Sequence, residues 1–132
     1  AEGKVTLRSY GSMTYAGLLA LIYAQVDAQD ARVQSAKDWA SRHWTLDENP
    51  GMGAEGLYYF FNVLAKCLAA AGDETLTLPD GRTVAWREEV VRKLLALQRP
   101  DGSWFNDNNR WWEADPNLVT AYTLLALATA LD

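Results

Sequence analysis

Two kinds of helical pattern alternate along the chain. Residues 13–26 (MTYAGLLALIYAQV), 54–71 (AEGLYYFFNVLAKCLAAA) and 117–131 (NLVTAYTLLALATAL) are apolar nearly all round. A helix without a polar face has to be covered on several sides. The segments between them are amphipathic. In residues 31–44, Val33, Ala36, Ala40 and His43 share one face while Arg32, Lys37, Asp38 and Arg42 lie off it. In residues 86–98, Trp86, Val90, Leu94 and Leu97 fall in line. The pattern predicts three inner helices and two outer ones, each outer helix wet on one side.

The boundaries carry their own signals. Asp30 and Asp115 each offer a side-chain acceptor at a helix start, and Pro116 after Asp115 needs no donor at the first helical position. Pro100 disfavours helical geometry at the residue before it and so ends the second outer helix. Between residues 76 and 84, Leu76, Thr77 and Leu78 are separated from Arg82, Thr83 and Val84 by Asp80-Gly81, which predicts a small β-hairpin. The apolar helices also repeat. TYAGLLAL begins at Thr14 and TAYTLLAL at Thr120, an offset of 106 residues, and the VLAK turn at Val63 falls between them. Two steps of about fifty residues are the mark of stacked helical hairpins, each unable to bury its apolar side alone.

Composition narrows the possible partners. At 132 residues and 49% hydrophobic, the chain reads as one domain able to bury a core. Its formal net charge of −5, without a basic run, argues against a nucleic-acid partner. Cys67 is the single cysteine, so an internal disulfide and a multi-thiolate metal site are excluded, though the compartment is not fixed. No apolar run reaches the roughly 20 residues of a transmembrane helix. The opening AEGKVTL lacks the pattern of a secretory signal, and a chain that does not begin with Met is compatible with a removed leader.

Gln98, Gly102 and Trp104, in QRPDGSW, have the spacing Q-x-x-x-G-x-W. With the apolar helix that follows from Thr120 to Leu127, this motif resembles the terpenoid-cyclase and prenyltransferase superfamily of squalene-cyclase or QW repeats, over essentially the whole chain. The resemblance implies an all-α fold: an α/α toroid segment of alternating inner and outer antiparallel helices, about half a ring, with the hairpin near residues 76–84 as an ornament. A glutamine side chain can bond orphan backbone groups at adjoining helix ends, and a tryptophan can pack over a neighbouring hairpin while donating its N–H. Residues 9–15 (SYGSMTY) read as a worn counterpart of the same turn. Half a ring leaves both end helices with apolar flanks, so the chain is expected to be part of a larger protein, or to cover its edges with a second copy.

Alternating helices bring the outer-to-inner connections to one rim, at the N-terminal ends of the inner helices. The candidates there are Tyr10, Asp47, Glu48, Asn49, Glu55, Tyr58, Tyr59, Trp111, Trp112, Glu113 and Asp115. Each has a structural alternative: a helix cap for Asp115, packing for Trp111 and Trp112, and core positions for about half of the aromatic run at residues 58–61. Glu113 and Glu55 either pair with Arg110 or bind the N–H groups of a helix start; acid catalysis would need burial and a raised pKa.

The family's known chemistries are missing. There is no D-x-D-D motif, LDEN at residues 46–49 being the nearest acidic cluster, and no Gly-Cys-Gly-Glu-Gln thioester motif. Cys67 and His43 read as core or surface residues and not as zinc ligands, so neither a metal nor a cofactor is implied. The expectation is a non-catalytic binding or interaction module for a small molecule, glycan or peptide. The alternative is an enzyme fragment, either a cyclase relative or a carbohydrate-active toroid with paired carboxylates about 5 to 9.5 Å apart.

Overall fold

The computed structural model describes residues 7–132; residues 1–6, which carry most of the opening stretch discussed above, lie outside it. The described chain is mainly helical: five α-helices and a small two-stranded antiparallel sheet. In order these are α1 (Gly11–Tyr23), α2 (Ala31–Arg42), α3 (Leu57–Ala71), β1 (Leu76–Thr77), β2 (Thr83–Val84), α4 (Trp86–Leu97), a short 3-10 turn (Arg110–Trp112) and α5 (Pro116–Leu131). Helices α1, α3 and α5 form a row with α3 in the middle, α2 packs on α1, and α4 packs on α5 and α3. The three apolar segments thus make the row and the two amphipathic ones cover it.

Several boundaries differ from the sequence expectation, each for a local reason. Helix α1 ends at Tyr23 because Gln25 turns left-handed, at φ 57, before Val26. Helix α3 starts at Leu57 and not at Ala54, because Gly56 is left-handed immediately before it. Helix α4 stops at Leu97 with Gln98 already extended, ahead of the position that Pro100 constrains. Asp30 caps α2 through Arg32 N, and Asp115 caps α5 through Asn117 N, each at 2.9 Å. In the hairpin Leu76 pairs with Val84 and Thr77 with Thr83, and the Ser41 hydroxyl donates to the Thr77 carbonyl (2.7 Å), fastening the hairpin to α2.

Burial explains the repeat. Helix α3 is buried on nearly every side, with Tyr58, Phe60, Phe61, Leu64, Ala65 and Leu68 all in the core. The flanking helices each bury one face, and the two faces are complementary in register. Tyr15 and Leu18 of α1 are buried, whereas the residues 106 positions on, Ala121 and Leu124, are exposed. Conversely Met13, Gly17 and Ala20 are exposed, while Val119, Thr123 and Ala126 of α5 are buried. One recurring sequence therefore holds two packing faces, and only the middle helix has a neighbour for both.

The glutamine-glycine-tryptophan turn works differently at its two ends. Gln98 is exposed and its amide donates to Gly102 O (3.0 Å), stiffening its own turn, in which Gly102 has φ 86; it does not bridge separate helices. Trp104 makes the tertiary link. Its buried indole donates to the Leu94 carbonyl at 2.8 Å, closing an orphan acceptor of the last turn of α4, and its amide donates to Thr120 Oγ1 at 3.1 Å on α5.

Trp104→Phe keeps most of the apolar volume but leaves the Leu94 carbonyl without a donor, so a loss of about 1–3 kcal/mol is expected in urea unfolding. Trp104→Ala adds a cavity and is expected to lose about 3–5 kcal/mol. A Phe variant as stable as the parent would remove the indole bond from the account of the fold.

Cys67 is fully buried in α3, and burial, the largest influence, pushes its thiol up to about 12, with smaller opposing effects from Lys37 and Asp73. An unfolded thiol ionises near its ordinary value of about 9, so above that pH the unfolded chain binds fewer protons than the folded one and stability falls as pH rises. Burial also raises the Tyr15 phenol, which acts in the same direction. The urea midpoint should therefore fall as pH rises from about 9, across the window between the two thiol values of about 9 and about 12, and less steeply in Cys67→Ala. Equal slopes would show that Cys67 does not contribute.

Candidate functional site

Six polar side chains are buried among the described residues, and four of them, Ser12, Asn49, Asn106 and Glu113, meet at the N-terminal end of the row. Of the other two, Thr123 returns its hydroxyl to Val119 O (2.8 Å), and Asn62 has an amide oxygen with no donor. The clustering follows from helix geometry, since the first turn of a helix leaves N–H groups without partners and carries partial positive charge. Asn49, on the loop between α2 and α3, accepts from Ser12 N (2.9 Å) at the start of α1. Its amide nitrogen donates to Ser12 Oγ (3.1 Å) and to the Glu55 carbonyl (3.0 Å). Gly11 N donates to Pro50 O at 2.8 Å, an approach that only glycine permits, because a Cβ at Gly11 would collide with the Pro50 ring and Asn49 Oδ1.

Glu113 does the same for α3, from the loop between α4 and α5. It is completely buried, and its two carboxylate oxygens accept from Tyr58 N (2.9 Å) and Tyr59 N (3.0 Å). Asn106 donates to Glu113 Oε1 (3.1 Å) and to the Ala54 carbonyl (2.7 Å), and its own amide N–H donates to the Glu113 carbonyl at 2.8 Å. Of the two alternatives for Glu113, it takes the helix start; Arg110 instead lies over the Trp111 ring, 4.4 Å from its centroid.

Just before Glu113, Trp111 and Trp112 adopt left-handed backbone at φ 62 and φ 65, a conformation costing of order 1–3 kcal/mol for bulky residues. Both residues are largely exposed, at 61% and 76%. The Trp111 ring comes down over Gly56, whose missing side chain leaves Trp111 Cδ1 only 3.5 Å from where a Cβ would stand.

These loops and helix starts enclose a cavity of about 410 Å³. Of the candidates named from the sequence, Tyr10, Asn49, Glu55, Tyr59, Trp111 and Glu113 line it. The other five lie elsewhere. Asp47 pairs with Lys93 at 2.7 Å, which holds its carboxyl below the usual range, and Glu48 is exposed. Tyr58 is buried in the core, Trp112 is largely exposed, and Asp115 caps α5. Ser12, Met13, Met52, Gly56 and Tyr122 complete the lining. Ser12, Met13, Met52 and Gly56 belong to a loop or first helical turn at this rim, whereas Tyr122 lies in the second turn of α5 and is brought beside Tyr59, with ring centroids 6.1 Å apart, by the packing of α5 on α3. The Tyr122 phenol is raised, first by burial and then by the Glu113 charge.

His43 stacks on Trp39 at 4.1 Å on the outer layer and does not line this cavity, and among the described residues no group of three or more His, Cys, Asp or Glu side chains is placed to hold a metal ion. No described helix is long and apolar enough to cross a membrane. No protein-family model, curated protein or solved structure matches the chain.

Glu113→Ala withdraws the acceptor from two N–H groups at the start of α3 and is expected to destabilise the fold by about 2–4 kcal/mol. Glu113→Gln keeps the shape but offers one acceptor oxygen to two donors, and should fall between the two. Chemical denaturation monitored by circular dichroism checks both, and an alanine variant with unchanged stability would show that the cap is not structural.

Proposed function

We propose that the chain is a non-catalytic binding or interaction module on a terpenoid-cyclase-like α/α toroid scaffold. Its ligand site is the rim cavity at the N-terminal ends of α1, α3 and α5. The observation that carries this reading is the convergence of three separate loops, each with aromatic or carboxylate side chains, on one cavity of about 410 Å³. That is the concave, mostly apolar setting with a few polar groups in which small ligands bind. The strained, exposed Trp111 adds to it, since backbone strain clusters at binding sites. The ligand class is a small molecule, glycan or peptide. The free faces of α1 and α5, with Met13, Leu124 and Leu125 exposed, suit further repeats of a longer chain or a second copy.

The enzymatic alternative, a fragment of a cyclase relative or a carbohydrate-active toroid, draws its support from Glu55 and Glu113 lining one cavity. It is the weaker reading, because the Glu113 carboxylate is already engaged by Tyr58 N, Tyr59 N and Asn106, and Asp47, the other carboxylate considered for such a pair, is held by Lys93.

Titration with cellobiose, farnesol, choline and a mixed tripeptide pool, read by tryptophan fluorescence, should give a saturable response to at least one class. Trp111→Ala should abolish it with little change in melting temperature, since Trp111 is largely exposed. Silence from every class would leave the rim a structural device. Light scattering tests the free faces: Leu124→Glu should disperse a pair of copies, and a strictly monomeric, stable parent chain would count against an interface role for these helices.

A further inference from the structure

We propose that the rim cavity selects a small organic cation, a quaternary or protonated amine, over neutral ligands of the same shape; this rests on the binding reading above and names the class of ligand. Two independent features of the lining carry it. The first is the aromatic surface. Tyr10, Tyr59, Tyr122 and Trp111 surround one space, and aromatic faces attract ammonium groups through the negative charge of their π-systems. Trp111 already shows this property, holding the Arg110 guanidinium 4.4 Å from its ring centroid.

The second is charge. Glu55 and Glu113 line the cavity and no lysine or arginine does. The Glu113 carboxylate spends its hydrogen-bonding capacity on the start of α3 but keeps its field, which acts on the Tyr122 phenol as well. Glu55 is half-buried and takes no part in the ion pairs of the described residues.

An anion is the rival that helix N-termini ordinarily favour. Here that opportunity is closed from within, because Asn49, Glu113 and Asp115 already accept from the first turns of α1, α3 and α5. Two arginines near the mouth oppose a cation: Arg110 on Trp111, and Arg8, which reaches Met52 Sδ at 3.8 Å. Both are exposed, so salt screens them over about 8 Å, while the carboxylates belong to the lining itself.

Calorimetric titration with choline and with 3,3-dimethylbutan-1-ol, its neutral carbon isostere, tests the proposal on the folded chain. Choline is expected to bind at least about tenfold more tightly, as cation–π contacts in a partly desolvated site imply, and more weakly as salt is raised. Glu55→Gln, with its fold checked by thermal melting, should weaken choline several-fold and leave the isostere unchanged. Equal affinity for the pair would overturn the cation preference while leaving a binding pocket. Binding of cellobiose or farnesol with none of choline would do the same and redirect the site to neutral ligands. Failure of every probe would overturn both this inference and the binding reading beneath it.

Discussion

The start of each helix in the row depends on an acceptor, and two of the three acceptors come from elsewhere in the chain. Asn49, in the loop leading to α3, closes the start of α1; Glu113, in the loop leading to α5, closes the start of α3; only α5 is capped by its own Asp115. Each loop therefore fastens the preceding helix of the row as well as feeding the next one. The arrangement is demanding, because a fully buried carboxylate is tolerated only when its oxygens are bonded. Glu113 meets that condition with two backbone donors and the Asn106 amide. Loop order, helix order and the position of the rim are thus a single constraint.

The cavity follows from it. Polar groups at the helix starts are used up on one another, and the residues lining the open space are mainly aromatic residues, methionines and acidic residues. The same closure holds Trp111 and Trp112 in left-handed backbone, since Glu113 directly after them is anchored at α3 and Trp112 N donates back to Asn109 O (3.1 Å).

Away from the rim, the outer layer fixes the other ends. Arg87 of α4 donates to the Thr129 and Ala130 carbonyls at the end of α5, at 2.8 and 3.3 Å, and Trp86 Nε1 donates to the Asp73 carbonyl at 2.6 Å, just past α3. The Arg87 bonds satisfy acceptors that a helix terminus leaves open. They place the start of α4 against the end of α5, while Trp104 ties the end of α4 to the start of α5 through Leu94 and Thr120. The free edges are the two that the row itself leaves, on α1 and α5.

Much of this was legible in the chain by itself. The alternation of all-apolar and one-faced segments, the Asp caps and the Asp-Gly hairpin identified the five helices and the small sheet, because periodicity and turn chemistry are local properties. Alternation also gave the reason for expecting the candidate residues at one rim, of which six line the cavity. Local pattern could not say which of them would share a space. Asp47 and Asn49 are two residues apart, yet one is drawn out to Lys93 and the other is buried under α1. Tyr58 and Tyr59 are adjacent, and helix phase sends one into the core and the other to the cavity. Nor could pattern show that one repeated motif would bury opposite faces in α1 and α5, or that Glu113 would cap a helix more than fifty residues earlier in the chain. Those outcomes depend on which helix stands beside which, and side-chain direction acquires a meaning only once the neighbours are in place.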